Sequence, residues 1–213
     1  LIAFGILFFM FFVFAALLGS VDDGVEVKQN SVLELRFTQP IFDYAGSNND
    51  DPFGAIFDEK GTGLNDIVHA IKVAKQDNKI KGISIRTGFL LAGLAQTQEI
   101  RRALQDFKSS GKFVHAHADF YTQKDYYLSS VADKIYVQPQ GAIDFKGLVS
   151  EVLYFKEFQE KSGLKLEVVR HGKYKSAVEP FLENEMSDEN RTQITELLES
   201  LWGNMLKDIS VDR

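Results

Sequence analysis

The chain predicts an α/β fold, a largely parallel sheet with helices packed outside it, behind an apolar N-terminal segment. Three observations carry this. Short runs alternating apolar and polar residues recur along the chain, apolar residues at helical spacing recur between them, and the two kinds alternate. That is the rhythm of strand–helix–strand units, whose strands align in parallel. With 213 residues, 45% hydrophobic and 25% charged, the balance is that of a globular chain rather than a disordered, collagenous or coiled-coil one.

The apolar segment comes first. Residues 1–18 are all apolar or glycine, with Phe4, Phe8, Phe9, Phe11, Phe12 and Phe14 among them. Eighteen helical residues rise about 27 Å, against a bilayer core of about 30 Å. The exit Ala16-Leu17-Leu18-Gly19-Ser20 lacks the small-x-small pattern of a cleaved signal. Residues 1–20 are therefore read as a single transmembrane helix and residues 21–213 as the body. Asp22, Asp23 and Glu26 follow, opposed only by Lys28. Because basic residues favour the cytoplasmic side, the body is expected outside the cytoplasm.

Residues 31–38 (SVLELRFT) alternate as a strand, with Val32, Leu33, Leu35 and Phe37 apolar. Residues 40–63, rich in Gly, Asn and Asp, read as an exposed loop. Their cluster Asn48-Asn49-Asp50-Asp51 lacks the ligand spacing of a calcium loop and reads as a solvated turn. Leu64, Ile67, Val68, Ile71 and Ala74 mark a helix over 63–77. Residues 79–86 (KIKGISIR) form a strand leading to a turn with Gly88 and Gly93. Ile100, Ala103, Leu104 and Phe107 mark a second helix, ended near Ser109-Ser110-Gly111. A strand over 112–118, a short helix over 123–131 and a strand over 134–137 follow. A helix is predicted over 151–161 with Gly163 as its C-cap, then a strand over 165–171. Ser187 caps a long last helix bearing Ile194, Leu197, Leu198, Leu201 and Met205.

Composition excludes several functions. A net charge of −6 gives no basic face for nucleic acid. The absence of cysteine removes disulfides, thiolate metal sites and a cysteine nucleophile. There is no GxGxxG after a strand, no GxxxxGK[ST], no GxSxG and no HExxH. His115 and His117 share one face of a strand, the His-x-His spacing of some zinc sites. A third ligand would have to come from His69, His171 or a carboxylate, and two polar residues near an oligomer contact is the simpler account. The remaining signal is HGKYKSAVEPF at 171–181, where a strand runs through a glycine into a lysine-bearing turn. A lysine is a general base only when neutral, and then it can deprotonate a serine hydroxyl. Lys173 and Lys175 share a face in an extended strand, so spacing alone does not choose between them.

The run from Tyr174 to Phe181 resembles the lysine motif of the signal peptide peptidase A (protease IV) family, peptidase family S49, in its long tandem-domain bacterial form. Residues 79–86 with their following glycines agree, as do Tyr126-Tyr127-Leu128, Ala132-Asp133-Lys134-Ile135, Pro139-Gln140-Gly141 and the N-terminal anchor. The resemblance implies a ClpP/crotonase-like fold and a serine endopeptidase with a Ser/Lys dyad and no cofactor. It places the general base on Lys175. In the catalytic repeat of that family a serine and two glycines precede the aromatic pair, whereas Gln123, Lys124 and Asp125 stand there in this chain. The chain then corresponds to the N-terminal repeat, silent alone, with the serine and the oxyanion glycines in a C-terminal repeat. Ser129 and Ser130 lie past the pair and read as helix-surface or packing serines. Gly88 and Gly93 are separated by four residues rather than adjacent and receive no oxyanion role. The implied partners are cleaved signal peptides, the chain's own C-terminal repeat, the lipid bilayer, and further copies in a homo-oligomer, a tetramer by resemblance. The implied place is the bacterial inner membrane, with the body facing the periplasm. Two other readings remain: a crotonase-like lyase or hydratase acting on an acyl thioester, which the anchor opposes, and a non-enzymatic membrane-tethered scaffold.

Overall fold

The structure, a computed structural model, describes residues 8–10, 27–44, 62–164, 166–167 and 176–213. Within them the chain forms strand β1 (Ser31–Phe37), a two-residue strand β2 (Ile41–Phe42), its partner β3 (Thr62–Gly63), helix α1 (Leu64–Gln76), β4 (Ile80–Thr87), α2 (Leu94–Lys108), β5 (Phe113–Ala118), α3 (Gln123–Ser129) and β6 (Lys134–Val137). After these come α4 (Lys156–Ser162), a 3-10 turn (Ser176–Val178), α5 (Glu179–Leu182) and α6 (Asp188–Asp212). The main sheet has the order β1-β4-β5-β6 with every pairing parallel. The predicted α/β architecture with a parallel sheet is the one observed.

Each helix and strand follows from local chemistry. α1 buries Ile67, Ile71 and Ala74, and the Asp77 carboxylate ends it by accepting the Lys79 N–H at 2.8 Å, which starts β4. α2 buries Ile100, Ala103, Leu104 and Phe107. Past its end Gly111 takes a φ of +79°, which a side chain would resist. Along the strands, alternate residues enter one core: Leu35 and Phe37, Ile83 and Ile85, Val114 and Ala116, joined by the apolar faces of α1 and α2.

The other sheet face is less covered than the prediction of helices packed outside implied. It carries two rows across the sheet, Glu34–Ser84–His115–Lys134 and Arg36–Arg86–His117–Tyr136. Val32 and Tyr136 on this face are 45% and 48% exposed. Phe113 lies over Gly82, where an added Cβ would come within 2.4 Å of its ring. The usual parallel sheet is buried on both faces. Among the described residues this one is covered on one.

Three expectations are corrected. The loop over 40–63 contains the short parallel pair β2–β3 at its two ends. The helix predicted over 151–161 begins five residues later, at Lys156. There the Phe155 N–H donates to the Pro180 carbonyl at 2.6 Å, so that backbone serves a tertiary contact rather than a helical turn. Gly163 does end this helix, with a φ of +75°. Leu166 and Glu167, inside the strand predicted over 165–171, are irregular. The rest of that strand, like the acidic cluster at 48–51, lies outside the described residues. So does most of the predicted anchor, of which Phe8, Phe9 and Met10 are helical. No helix among the described residues is long and apolar enough to cross a membrane.

Candidate active site

The strands of a parallel sheet all point their carboxyl ends one way, and the loops leaving those ends gather there. The loop after β4 and the start of α3 meet at this end through Asp125. Thr122-x-x-Asp125 is a capping box: the Thr122 hydroxyl and N–H both donate to the Asp125 carboxylate, and the Asp125 N–H returns to Thr122 Oγ1 at 3.2 Å. The other Asp125 oxygen accepts the Leu90 N–H at 3.0 Å, and Lys124 Nζ donates to the Ala92 carbonyl. Asp125 is fully buried. Between Gly88 and Leu90, Phe89 takes a φ of +63°, an uncommon conformation for a bulky residue, and its ring stacks on Phe120 at 6.0 Å. Gly93 donates its N–H to Gln96 Oε1 at 2.8 Å and so starts α2.

Gln123 opens α3. Its Oε1 accepts the N–H groups of Gly147 at 2.8 Å and Lys146 at 3.2 Å. An amide that pins a loop in this way is no nucleophile. Ser129 and Ser130 are both fully buried. The Ser130 hydroxyl donates to the Tyr127 carbonyl at 2.9 Å and accepts from Arg101 Nη1 at 2.6 Å. They are packing serines, out of reach of a substrate. His115 and His117 lie on the open sheet face, and the His115 ring sits 4.6 Å from Phe113 and 6.0 Å from Tyr136. Among the described residues no group of three or more His, Asp or Glu is arranged to hold a metal ion.

Lys173 and Lys175 fall in residues 168–175, outside the described residues. The stretch after them is described. Ser176 to Val178 make the 3-10 turn, Glu179 starts α5, and the Glu179 carboxylate is buried against the beginning of α6. The Ser187 hydroxyl caps that helix, accepting the Asn190 N–H at 3.2 Å, as the sequence predicts.

Two further buried groups went unread in the sequence. Arg101 of α2 is 2% exposed. Its guanidinium lies 4.4 Å over the Tyr127 ring and pairs with the Asp212 carboxylate at 2.5 Å. The Tyr127 hydroxyl donates to Asp208. Burial pushes the Tyr127 phenol up to about 12, with the Asp208 bond acting the same way. Tyr121 is pushed up to about 12 by burial as well, and its hydroxyl donates to the Tyr136 carbonyl at 3.1 Å. The Thr122–Asp125 box was likewise unread, although its spacing is a local signal. Arg101 had no local signal, because its partner lies 111 residues away.

Comparison with known proteins gives the family. The sequence profile of peptidase family S49 matches residues 106–213, from the last turn of α2 to the end of α6. Protease 4 of Haemophilus influenzae is 42% identical over 149 residues, 70% of this chain and 24% of that protein. Protease 4 of Salmonella typhi is 35% identical over 219 residues, 96% of this chain and 35% of that protein. The chloroplastic serine protease SPPA of Arabidopsis thaliana is 28% identical over 184 residues, covering 86% of this chain and 26% of its own length. A solved enoyl-CoA hydratase/isomerase family protein from Silicibacter pomeroyi aligns over 88% of both chains, at 16% identity and a TM-score of 0.33. The chain belongs to peptidase family S49, the signal peptide peptidase A (protease IV) family. It spans between 24% and 35% of the length of these curated relatives.

Proposed function

We propose that this chain is the lysine-donating part of a serine endopeptidase with a Ser/Lys dyad, anchored by residues 1–20 in a bacterial inner membrane with its body in the periplasm. Its substrates are signal peptides after their release. Lys175 is the general base. The serine comes from a C-terminal repeat of the same protein, and the whole works as a homo-oligomer, a tetramer by resemblance, on a ClpP/crotonase-like scaffold without cofactor. The neutral amine of Lys175 takes the serine proton as the oxygen attacks the peptide carbonyl. The lysine then gives that proton to the leaving amine as the acyl-enzyme forms, takes another from the attacking water, and returns it to the serine oxygen as the acid is released.

One observation carries the reading: the family match spans an intact Tyr-Lys-Ser-Ala-Val-Glu-Pro-Phe motif at 174–181, while the position expected to hold the serine is Gln123. The same Gln123, with its amide bonded to Lys146 and Gly147, favours a second reading for this chain alone, a membrane-tethered scaffold that only assembles. Mutation of the full-length protein separates the two. Lys175→Ala should lower peptide-ester turnover by about 10²–10⁴-fold, with assembly unchanged, and Lys173→Ala should lower it less. Equal losses at both positions, or a larger one at Lys173, would mean that Lys175 is the wrong lysine. Unchanged turnover in both would leave the scaffold reading.

A further inference from the structure

The backbone on both sides of residues 168–175 is tied down by a small set of bonds. Gln159 of α4 uses both ends of its amide for this. Its Oε1 accepts the Leu166 N–H at 3.0 Å, ahead of the lysines, and its Nε2 donates to the Phe181 carbonyl at 2.6 Å, behind them. Phe155 adds the bond to the Pro180 carbonyl, and its ring stacks on Phe181 at 5.8 Å.

Glu179 completes the set, and its setting is the unusual one. It is 2% exposed. One oxygen accepts the Ser187 hydroxyl at 2.7 Å; the other accepts the Asn190 side-chain amide at 3.0 Å and the Ser187 N–H at 3.4 Å. Burying a carboxylate is costly unless it is hydrogen-bonded, and here these donors come from the first turn of α6. The unpaired N–H groups of a helix start also favour negative charge. The Ser187 hydroxyl is shared: it donates to Glu179 while accepting the Asn190 N–H. The cap of α6 and the anchoring of α5 are thus one structure.

We propose that Glu179 is a positioning residue for the proposed reaction. By locking α5 and the turn Ser176–Val178 onto the start of a 25-residue helix, it fixes the backbone four residues beyond Lys175 and with it the point from which the lysine reaches the serine. The inference rests on the reading of Lys175 as the base. It makes no use of the carboxylate's charge in the chemistry.

The test uses the full-length protein and a peptide ester. Glu179→Ala should lower kcat by about 10²-fold, the loss expected when a reacting group shifts by about 1 Å, and leave KM and oligomeric state close to those of the parent. Glu179→Gln keeps the volume and one acceptor but turns an amide nitrogen toward the Asn190 or Ser187 donors, so it should recover only part of the loss. Wild-type kcat in Glu179→Ala, in a protein where Lys175→Ala is inactive, overturns this inference and leaves the proposed function standing. Full turnover in Lys175→Ala overturns both. If Glu179→Ala does not fold, Ser187→Ala and Asn190→Ala each remove one donor from the carboxylate. Each should lower kcat more than it raises KM, and wild-type kcat in both overturns the inference.

Discussion

Arg101, Asp125 and Glu179 are all nearly sealed from water, and each joins two elements: α2 to α6, the β4 loop to α3, and α5 to α6. A buried charge is tolerated only where its hydrogen bonds are met, so at each point the fold has one arrangement that satisfies it. Two buried tyrosines report on this packing, Tyr127 under the Arg101 guanidinium and Tyr121. Tyr127 and Tyr121 have their phenols raised from 10.0 to about 12 by burial. A pKa raised in the folded state means that the fold favours the protonated form. The stability this contributes is therefore complete below pH 10 and is lost as pH rises through about 12. In a phenolate absorbance titration these two residues should ionise last, together with the loss of helical circular dichroism. Ionisation of every tyrosine in one step near pH 10, with the fold intact, would contradict the burial described.

At the scale of elements, α6 is long and mostly exposed, burying only Asn190 and Met205; Trp202 packs on Phe145 at 5.0 Å, and polar joints hold both ends. The first turn holds Glu179; the last holds Arg101 through Asp212 and Tyr127 through Asp208, while Arg213 reaches the Ala132 carbonyl. Arg101→Ala leaves Asp212, whose side chain is 10% exposed, without its cation. Breaking a buried pair from one side costs about 3–5 kcal/mol, so urea unfolding should shift to lower concentration by a corresponding amount. A shift no larger than that of a surface variant such as Arg102→Ala would show the latch to be loose. These joints also mark the limit of what the sequence reveals. α1, α2 and β4 were legible because their periodicity is local, and the Ser187 cap because its chemistry is local. The start of α4 was not, since the Phe155 N–H answers to Pro180, twenty-five positions on. Nor was Glu179, whose Glu-Pro pair looks like any exposed helix start.

Across the whole molecule, the residues flanking the lysine segment are open in this chain. Ala177 is exposed, Phe181 is 42% exposed, and Leu164 and Leu166 are 67% and 45% exposed. That exposure bears on the proposed mechanism. A solvated lysine has a pKa of about 10.4 and is almost fully charged at neutral pH; desolvation lowers it by disfavouring the charged form. The described residues beside the segment supply apolar surface, and the proposed mechanism requires that Lys175 be desolvated in the working enzyme. The Glu179 carboxylate is bonded to Ser187 and Asn190 at the start of α6. The expectation is that kcat/KM of the complete protein rises with pH through an apparent pKa well below about 10.4, and that the rise is absent in Lys175→Ala. A profile that climbs without inflection to about pH 10, in protein that remains folded and assembled, would put Lys175 at the pKa of a solvated lysine and remove it from the dyad.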